Sequence, residues 1–136
     1  MPDLNVFTIY AIGYLRSTLC DLDDAPRQGT EGAPDAWLEL DDAYRTAMNG
    51  IAVGDELVVI AWLHRADRNV LEVHPRGETS NPLAGVFATR SPHRPNPLGL
   101  HRVTVRAIDG TRLLVGPIET IDGTPVVDVK IALPDD

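Results

Sequence analysis

The stretch Leu100-His101-Arg102-Val103-Thr104-Val105-Arg106-Ala107-Ile108-Asp109-Gly110-Thr111-Arg112-Leu113-Leu114-Val115 decides the fold. Leu100 to Ala107 and Arg112 to Val115 read as strands, rich in β-branched and apolar residues. Asp109-Gly110 lies between them, and Asp-Gly flanked by such runs is a strong signal for a tight hairpin turn. Outward from this hairpin the same pattern recurs. Val126 to Ile131 follows a second turn signal, Asp122-Gly123. Leu57 to Leu63 is a continuous apolar run, which predicts a strand buried on both faces. Val6 to Leu15, Trp37 to Leu40, Val70 to Val73 and Val86 to Thr89 add further strands. Asp41 is placed to cap a short helix over Asp42 to Met48, ended by Asn49-Gly50. Leu22 to Pro34 and His74 to Pro82 read as loops. No strand-helix rhythm appears. The expectation is an all-β chain, a small antiparallel β-barrel or sandwich with one or two short helices and long loops. Residues 1–136 are expected to form a single domain.

Between the predicted strands lies Arg90-Ser91-Pro92-His93-Arg94-Pro95-Asn96-Pro97-Leu98-Gly99. Each proline fixes φ and lacks a backbone donor, so this segment is a stiff loop. A loop that only reversed the chain would need little more than Gly, Asn or Asp. This one offers two arginines, a histidine and an asparagine, which suits an anion. Each well-placed proline also lowers unfolded-state entropy by about 0.4–1 kcal/mol, which helps keep a ligand loop ordered in advance.

Charge is distributed unevenly. The net charge is −8, which argues against general adhesion to nucleic acid. From His64 to Arg106, however, seven arginines face three acids, a local balance of +4 against −12 elsewhere. A focused anion site is expected rather than a broad polyanion-binding face. The one cysteine, Cys20, rules out an internal disulfide and suggests a reducing compartment. No leader and no long apolar span is evident, so a cytoplasmic protein without membrane attachment is expected. No Gly-rich dinucleotide fingerprint, phosphate loop or nucleophile elbow is present. His64, His74, His93 and His101 lack tight ligand spacing, so no metal site is expected. His74 and His101 read as surface or packing histidines.

The run Gly85-Val86-Phe87-Ala88-Thr89-Arg90-Ser91-Pro92-His93-Arg94-Pro95-Asn96-Pro97-Leu98-Gly99-Leu100 closely resembles the signature of the TrmO/YaeB (TsaA-like) family. Ile12-Gly13 with Arg16-Ser17 resembles the family's opening strand, and Pro26-Arg27-Gln28 its Pro-Arg-Gln loop. Asp122-Gly123-Thr124-Pro125-Val126-Val127-Asp128-Val129-Lys130 resembles its later Asp-Gly-Thr-Pro motif. The resemblance spans nearly the whole chain and is to a short form that lacks the family's C-terminal domain. Lys130-Ile131-Ala132 departs from the family's Lys-Pro-Tyr. The resemblance implies a β-barrel, usually dimeric, that uses S-adenosylmethionine to methylate N6 of threonylcarbamoyl-adenosine at position 37 of certain tRNAs. A binding module without turnover and a methyltransferase with a small-molecule acceptor are the alternatives.

The same match implies the site residues. Arg27, Gln28, Leu63, His64, Arg65, Arg90, Leu100, Gly116, Pro117, Ile118 and Glu119 align with cofactor contacts. Arg90 suits a carboxylate, since its planar fork gives paired charge-assisted hydrogen bonds. Stacking on adenine or a salt bridge to a neighbouring acid are its other readings. Gln28 can both donate and accept against a base edge. Leu100 could pack on adenine, and Glu119 could take ribose hydroxyls. Asp122, Asp128 and Lys130 are the catalytic candidates. An exocyclic amine must lose a proton during or after attack, so a nearby carboxylate is useful. Asp128 and Lys130, two apart on a strand, share one face. Without the resemblance they read as a surface ion pair, and Asp122 as a turn residue.

Overall fold

The computed structural model describes residues 5–20 and 32–135. Pro26, Arg27 and Gln28 lie outside the described residues. Eight strands form, β1 (Gly13–Arg16), β2 (Ala36–Leu40), β3 (Glu56–Trp62), β4 (Glu72–Val73), β5 (Ala84–Gly85), β6 (Leu98–Asp109), β7 (Arg112–Gly116) and β8 (Pro125–Ile131). Six of them close an antiparallel barrel in the order β1-β2-β7-β6-β3-β8, with β8 returning to β1 through Gly13↔Val126. Closure removes the unpaired edges that an open sheet would leave. β4 and β5 make a separate two-stranded sheet.

The opening hairpin forms as the sequence predicts. Asp109 pairs with Arg112, and Gly110 takes a φ of +62°, the left-handed region that glycine enters at no steric cost. β6 is the longest strand and serves two neighbours. Its first half pairs with β3 from Leu98↔Trp62 to Thr104↔Glu56, and its second half with β7 from Thr104↔Gly116. An irregularity between Val105 and Ala107 bends the strand as it changes partner.

Leu15, Leu38, Leu57, Val59, Val103, Val105, Leu113, Val115 and Val126 fill the interior. They alternate along their strands, the period-two pattern of a barrel whose outer face meets solvent. β3 therefore buries Leu57, Val59 and Ala61 fully, while Val58 and Ile60 are only partly covered. The prediction of a strand buried on both faces is corrected: nothing among the described residues packs fully over the outer side.

Other expected elements are shorter or different. Val6 to Leu15 contributes a strand only from Gly13. Phe7 and Tyr10 are exposed, and ladder bonding begins only at Ile12, whose N–H donates to the Val126 carbonyl and whose carbonyl accepts from the Asp41 N–H. Val70 to Val73 reduces to the two residues of β4. Val86 to Thr89 is not a strand. Val86–Ala88 is a 3-10 turn, closed because both the main-chain N–H and the hydroxyl of Thr89 donate to the Val86 carbonyl. The expected helix is present as a 3-10 segment, Asp42–Met48. Asp41 caps it by accepting from the Ala43 N–H at 2.9 Å, and Asn49-Gly50 ends it with φ +98° at Gly50.

Candidate functional site

Antiparallel closure places the ends of β1, β3 and β7 and the starts of β2, β6 and β8 at one mouth of the barrel. From this mouth rise Leu63-His64-Arg65 after β3, Pro117-Ile118-Glu119 after β7, and Asp122 before β8. The Pro-rich loop arrives there too, at the start of β6.

Asp67 to Asn69 and His93 to Asn96 zip this loop to the chain after β3. The Asp67 N–H donates to His93 Nδ1 at 2.9 Å. Arg68 donates to the Pro95 carbonyl at 2.7 Å and to Asn96 Oδ1 at 3.1 Å, and its guanidinium sits over the Trp62 ring. Arg94 turns inward and donates to the carbonyls of Val86, Thr89 and Ser91 at 2.7, 3.2 and 2.9 Å. Three of the loop's four polar candidates thus hold the loop in place, His93 and Asn96 against the chain after β3 and Arg94 on nearby carbonyls. Arg90 differs: it is exposed and has no hydrogen bond or ion pair with any described residue.

Arg90 faces an open groove of about 590 Å³ on the outer side of β3, β6 and β8. Val58, Ile60 and Leu100 give it an apolar floor, and Arg102 and Lys130 line it with further positive charge. Arg102 is engaged by Glu56 at 2.6 Å. Lys130 Nζ lies 3.6 Å from Asp128 Oδ2, both largely exposed. The groove therefore brings together Arg90, Leu100 and Lys130, with Asp128 attached through its ion pair. A register shift explains how β8 presents them. Ile60 pairs with Asp128 but Ala61 with Val126, so Val127 is an extra residue and the strand changes parity. Val126 points into the core before the shift; Asp128 and Lys130 point out after it.

The remaining candidates divide. Arg65 donates to the Cys20 carbonyl at 3.0 Å and ties the end of β3 to the chain after β1. Burial, and secondarily the charge of Arg65, push the His64 imidazole below its usual pKa. Asp122 Oδ1 accepts from the Ser17 N–H at 3.1 Å, and the Asp122 N–H donates to Leu19, a turn-building role. Gly116 is buried, and a Cβ there would meet the Asp35 carboxylate. The Ile118 side chain is fully buried in the barrel core, so this part of the expected contact segment has only main chain to present, and its N–H donates to the Pro34 carbonyl at 3.0 Å. Glu119 is one-fifth exposed and accepts from His101 at 2.6 Å. Of the surface and packing roles expected for His101, burial selects packing, and its ring is in addition bonded to a candidate ligand carboxylate. The sequence signal was Gly99, which shares its strand face two residues away.

The groove's donor set suits S-adenosylmethionine, with a guanidinium that has no partner among the described residues and an apolar floor; Glu119, one oxygen unengaged among the described residues, stands outside that lining, bonded to the inward-facing His101. Among the described residues no group of His, Cys, Asp and Glu is arranged to hold a metal, and no helix is long and apolar enough to cross a membrane.

The family model for the tRNA-methyltransferase O N-terminal domain matches residues 14–135. The chain belongs to this family. A probable S-adenosyl-L-methionine-binding protein of Methanocaldococcus jannaschii is 41% identical over 98 residues, 69% of this chain and 78% of that protein. One of Pyrococcus horikoshii is 39% identical over 129 residues, covering 92% and 82%. The crystal structure of TrmO from Pseudomonas aeruginosa superposes with a TM-score of 0.78 at 29% identity, over 98% of this chain and 59% of that one. The chain thus spans little more than half of that solved protein, which shares the barrel predicted for the family.

Proposed function

We propose that this protein is an S-adenosylmethionine-dependent methyltransferase of the TrmO type, acting as a homodimer on N6 of threonylcarbamoyl-adenosine at position 37 of tRNA. The observation that carries the reading is Arg90, the cation of the Pro-rich loop with no partner among the described residues, held beside Leu100 and Lys130 in one groove. S-adenosylmethionine, when bound, supplies a methyl group made electrophilic by its sulfonium.

The chain's residues do the rest. Arg90 binds the cofactor carboxylate or stacks on its adenine, and Leu100 offers apolar contact. Glu119 accepts from the ribose hydroxyls. The main work is orientation, which in ideal models is worth about 7–11 kcal/mol. Asp128 takes the proton that the acceptor amine must give up. Its Oδ1 accepts from the Val129 N–H at 2.9 Å, and Oδ2, 3.6 Å from Lys130 Nζ, is the oxygen that takes that proton. Lys130, which lines the groove, pairs with that carboxylate at 3.6 Å and ties it to the groove's edge. Exposed Leu98, Leu100, Ile131 and Leu133 give this side an apolar surface that a second copy would cover.

A second reading, a binding module without turnover, is favoured by the net charge of −8, which opposes a polyanionic acceptor. Calorimetric titration with S-adenosylmethionine tests both: absence of heat and of thermal stabilisation would sink them together. Transfer of labelled methyl to total tRNA from cells lacking the family enzyme then separates them. Incorporation supports the methyltransferase; binding without incorporation supports the module. Sedimentation at micromolar concentration tests the dimer.

A further inference from the structure

We propose that His101 is a positioning residue that sets the orientation of the Glu119 carboxylate, so that recognition of the cofactor's ribose runs through this buried histidine. The inference rests on the cofactor-site reading above and names how one part of that site is held.

His101 lies on the inward face of β6 and is only 6% exposed. Its Nδ1 is 2.6 Å from Glu119 Oε1. A donor at Nδ1 to an ionised carboxylate makes a short, charge-assisted bond, the strong kind. Glu119 itself stands on the short connection between β7 and β8, where a glutamate side chain has several rotamers. The bond to a ring fixed inside the barrel selects one of them. Oε1 is then committed, and Oε2, without a partner among the described residues, is left for a hydroxyl.

The surroundings are shaped for the ring. His101 Nε2 is buried with no hydrogen-bond partner among the described residues. Burying a polar atom unpaired lowers stability, so the histidine is a poorer core residue than leucine would be. What it adds is a donor at a fixed point beneath Glu119. Gly99 makes the room: a Cβ there would lie 2.5 Å from His101 Nε2 and 3.2 Å from Leu63 Cδ1. Any side chain at 99 would push the ring and, through it, the carboxylate.

The test compares affinity for S-adenosylmethionine with affinity for its 2′-deoxyribose analogue, by calorimetry, with thermal melting of each variant as the fold control. The wild-type protein is expected to prefer the hydroxylated ligand by about tenfold or more. His101→Leu and Glu119→Gln should each bring that ratio near one, and the double variant should lose no more than either alone. His101→Asn, whose amide nitrogen can take the place of Nδ1, should restore the preference. Gly99→Ala should reduce it without touching Glu119. Equal loss of both ligands in His101→Leu, or an unchanged ratio, would overturn the proposal and leave His101 a core residue. If the wild-type protein binds S-adenosylmethionine but does not discriminate, the role of Glu119 falls while the cofactor reading stands. If it binds neither ligand, the cofactor reading itself fails.

Discussion

The Arg94 guanidinium donates to the carbonyl of Val86, eight residues earlier, at 2.7 Å. With its bonds to Thr89 and Ser91 it holds the 3-10 turn and the Pro-rich loop as one piece. Arg90 leaves that piece toward the groove.

Arg94→Ala should therefore loosen the loop. Three partly buried carbonyls lose a charged donor, and the loss should cost roughly 2–3 kcal/mol of stability. Denaturant melts measure this directly. Arg94→Lys should recover only part, since an ammonium lacks the planar fork that reaches three carbonyls at once. A melt unchanged in Arg94→Ala would show that the prolines alone fix the loop.

Arg90→Ala should do the reverse. It removes no bond to a described residue, so the melting temperature should stay within about a degree or two of wild type, as for most exposed substitutions. Affinity for S-adenosylmethionine should fall at least tenfold, roughly 1.4 kcal/mol. Unaltered affinity in calorimetry would remove Arg90 from the site.

Asp128→Asn keeps the shape of the side chain and removes its basicity. Transfer rate should drop by about 10²–10⁴-fold, the usual contribution of a placed base, with cofactor affinity little changed. Single-turnover methyl transfer measures the first and calorimetry the second. Full activity in this variant would defeat the proton-accepting role.

His64 introduces a pH dependence. Its folded-state pKa is lowered, chiefly by burial and then by Arg65. The unfolded chain, with the ordinary value near 6.5, takes up a proton first as pH falls. The neutral ring thus contributes stability above about pH 6.5 that is lost as pH drops toward the lower folded-state value. Melts between pH 7.5 and 5 should show this loss, and His64→Asn should reduce it. An NMR titration of the imidazole with its midpoint at or above 6.5 would contradict the expectation.

Much of the barrel was legible because its causes are local. Asp109-Gly110 must turn, Asp41 can cap, and alternation in β6 and β7 marks one buried face. Val86 to Thr89 misled because its composition suits a strand, while Thr89 spends its donors closing a turn on Val86. Val6 to Ile12 misled in another way: propensity promises a strand, but the ladder begins only at Ile12, and Val6, Phe7 and Tyr10 stay exposed. The Pro-rich loop was recognisable as a site, yet Arg90 and Arg94 are the same residue type four positions apart. Only the carbonyls gathered around Arg94 distinguish scaffold from ligand arm. Ile118 and Asp122 sit in motif segments, but one faces the core and the other caps a turn, distinctions that depend on distant chain. His101 was undervalued because its partner, Glu119, belongs to another connection.

Three connections, β1 to β2, β3 to β6 and β7 to β8, leave from the same mouth of the barrel, whereas the Asp109–Arg112 hairpin and the β2-to-β3 connection lie at the opposite end. The proposed site therefore straddles two parts of the barrel: Arg90 comes from a mouth segment, while Leu100, Asp128 and Lys130 are carried by the staves β6 and β8. Grafting a relative's mouth segments onto these six staves should change how the cofactor is held while leaving the proton-accepting pair of β8 in place.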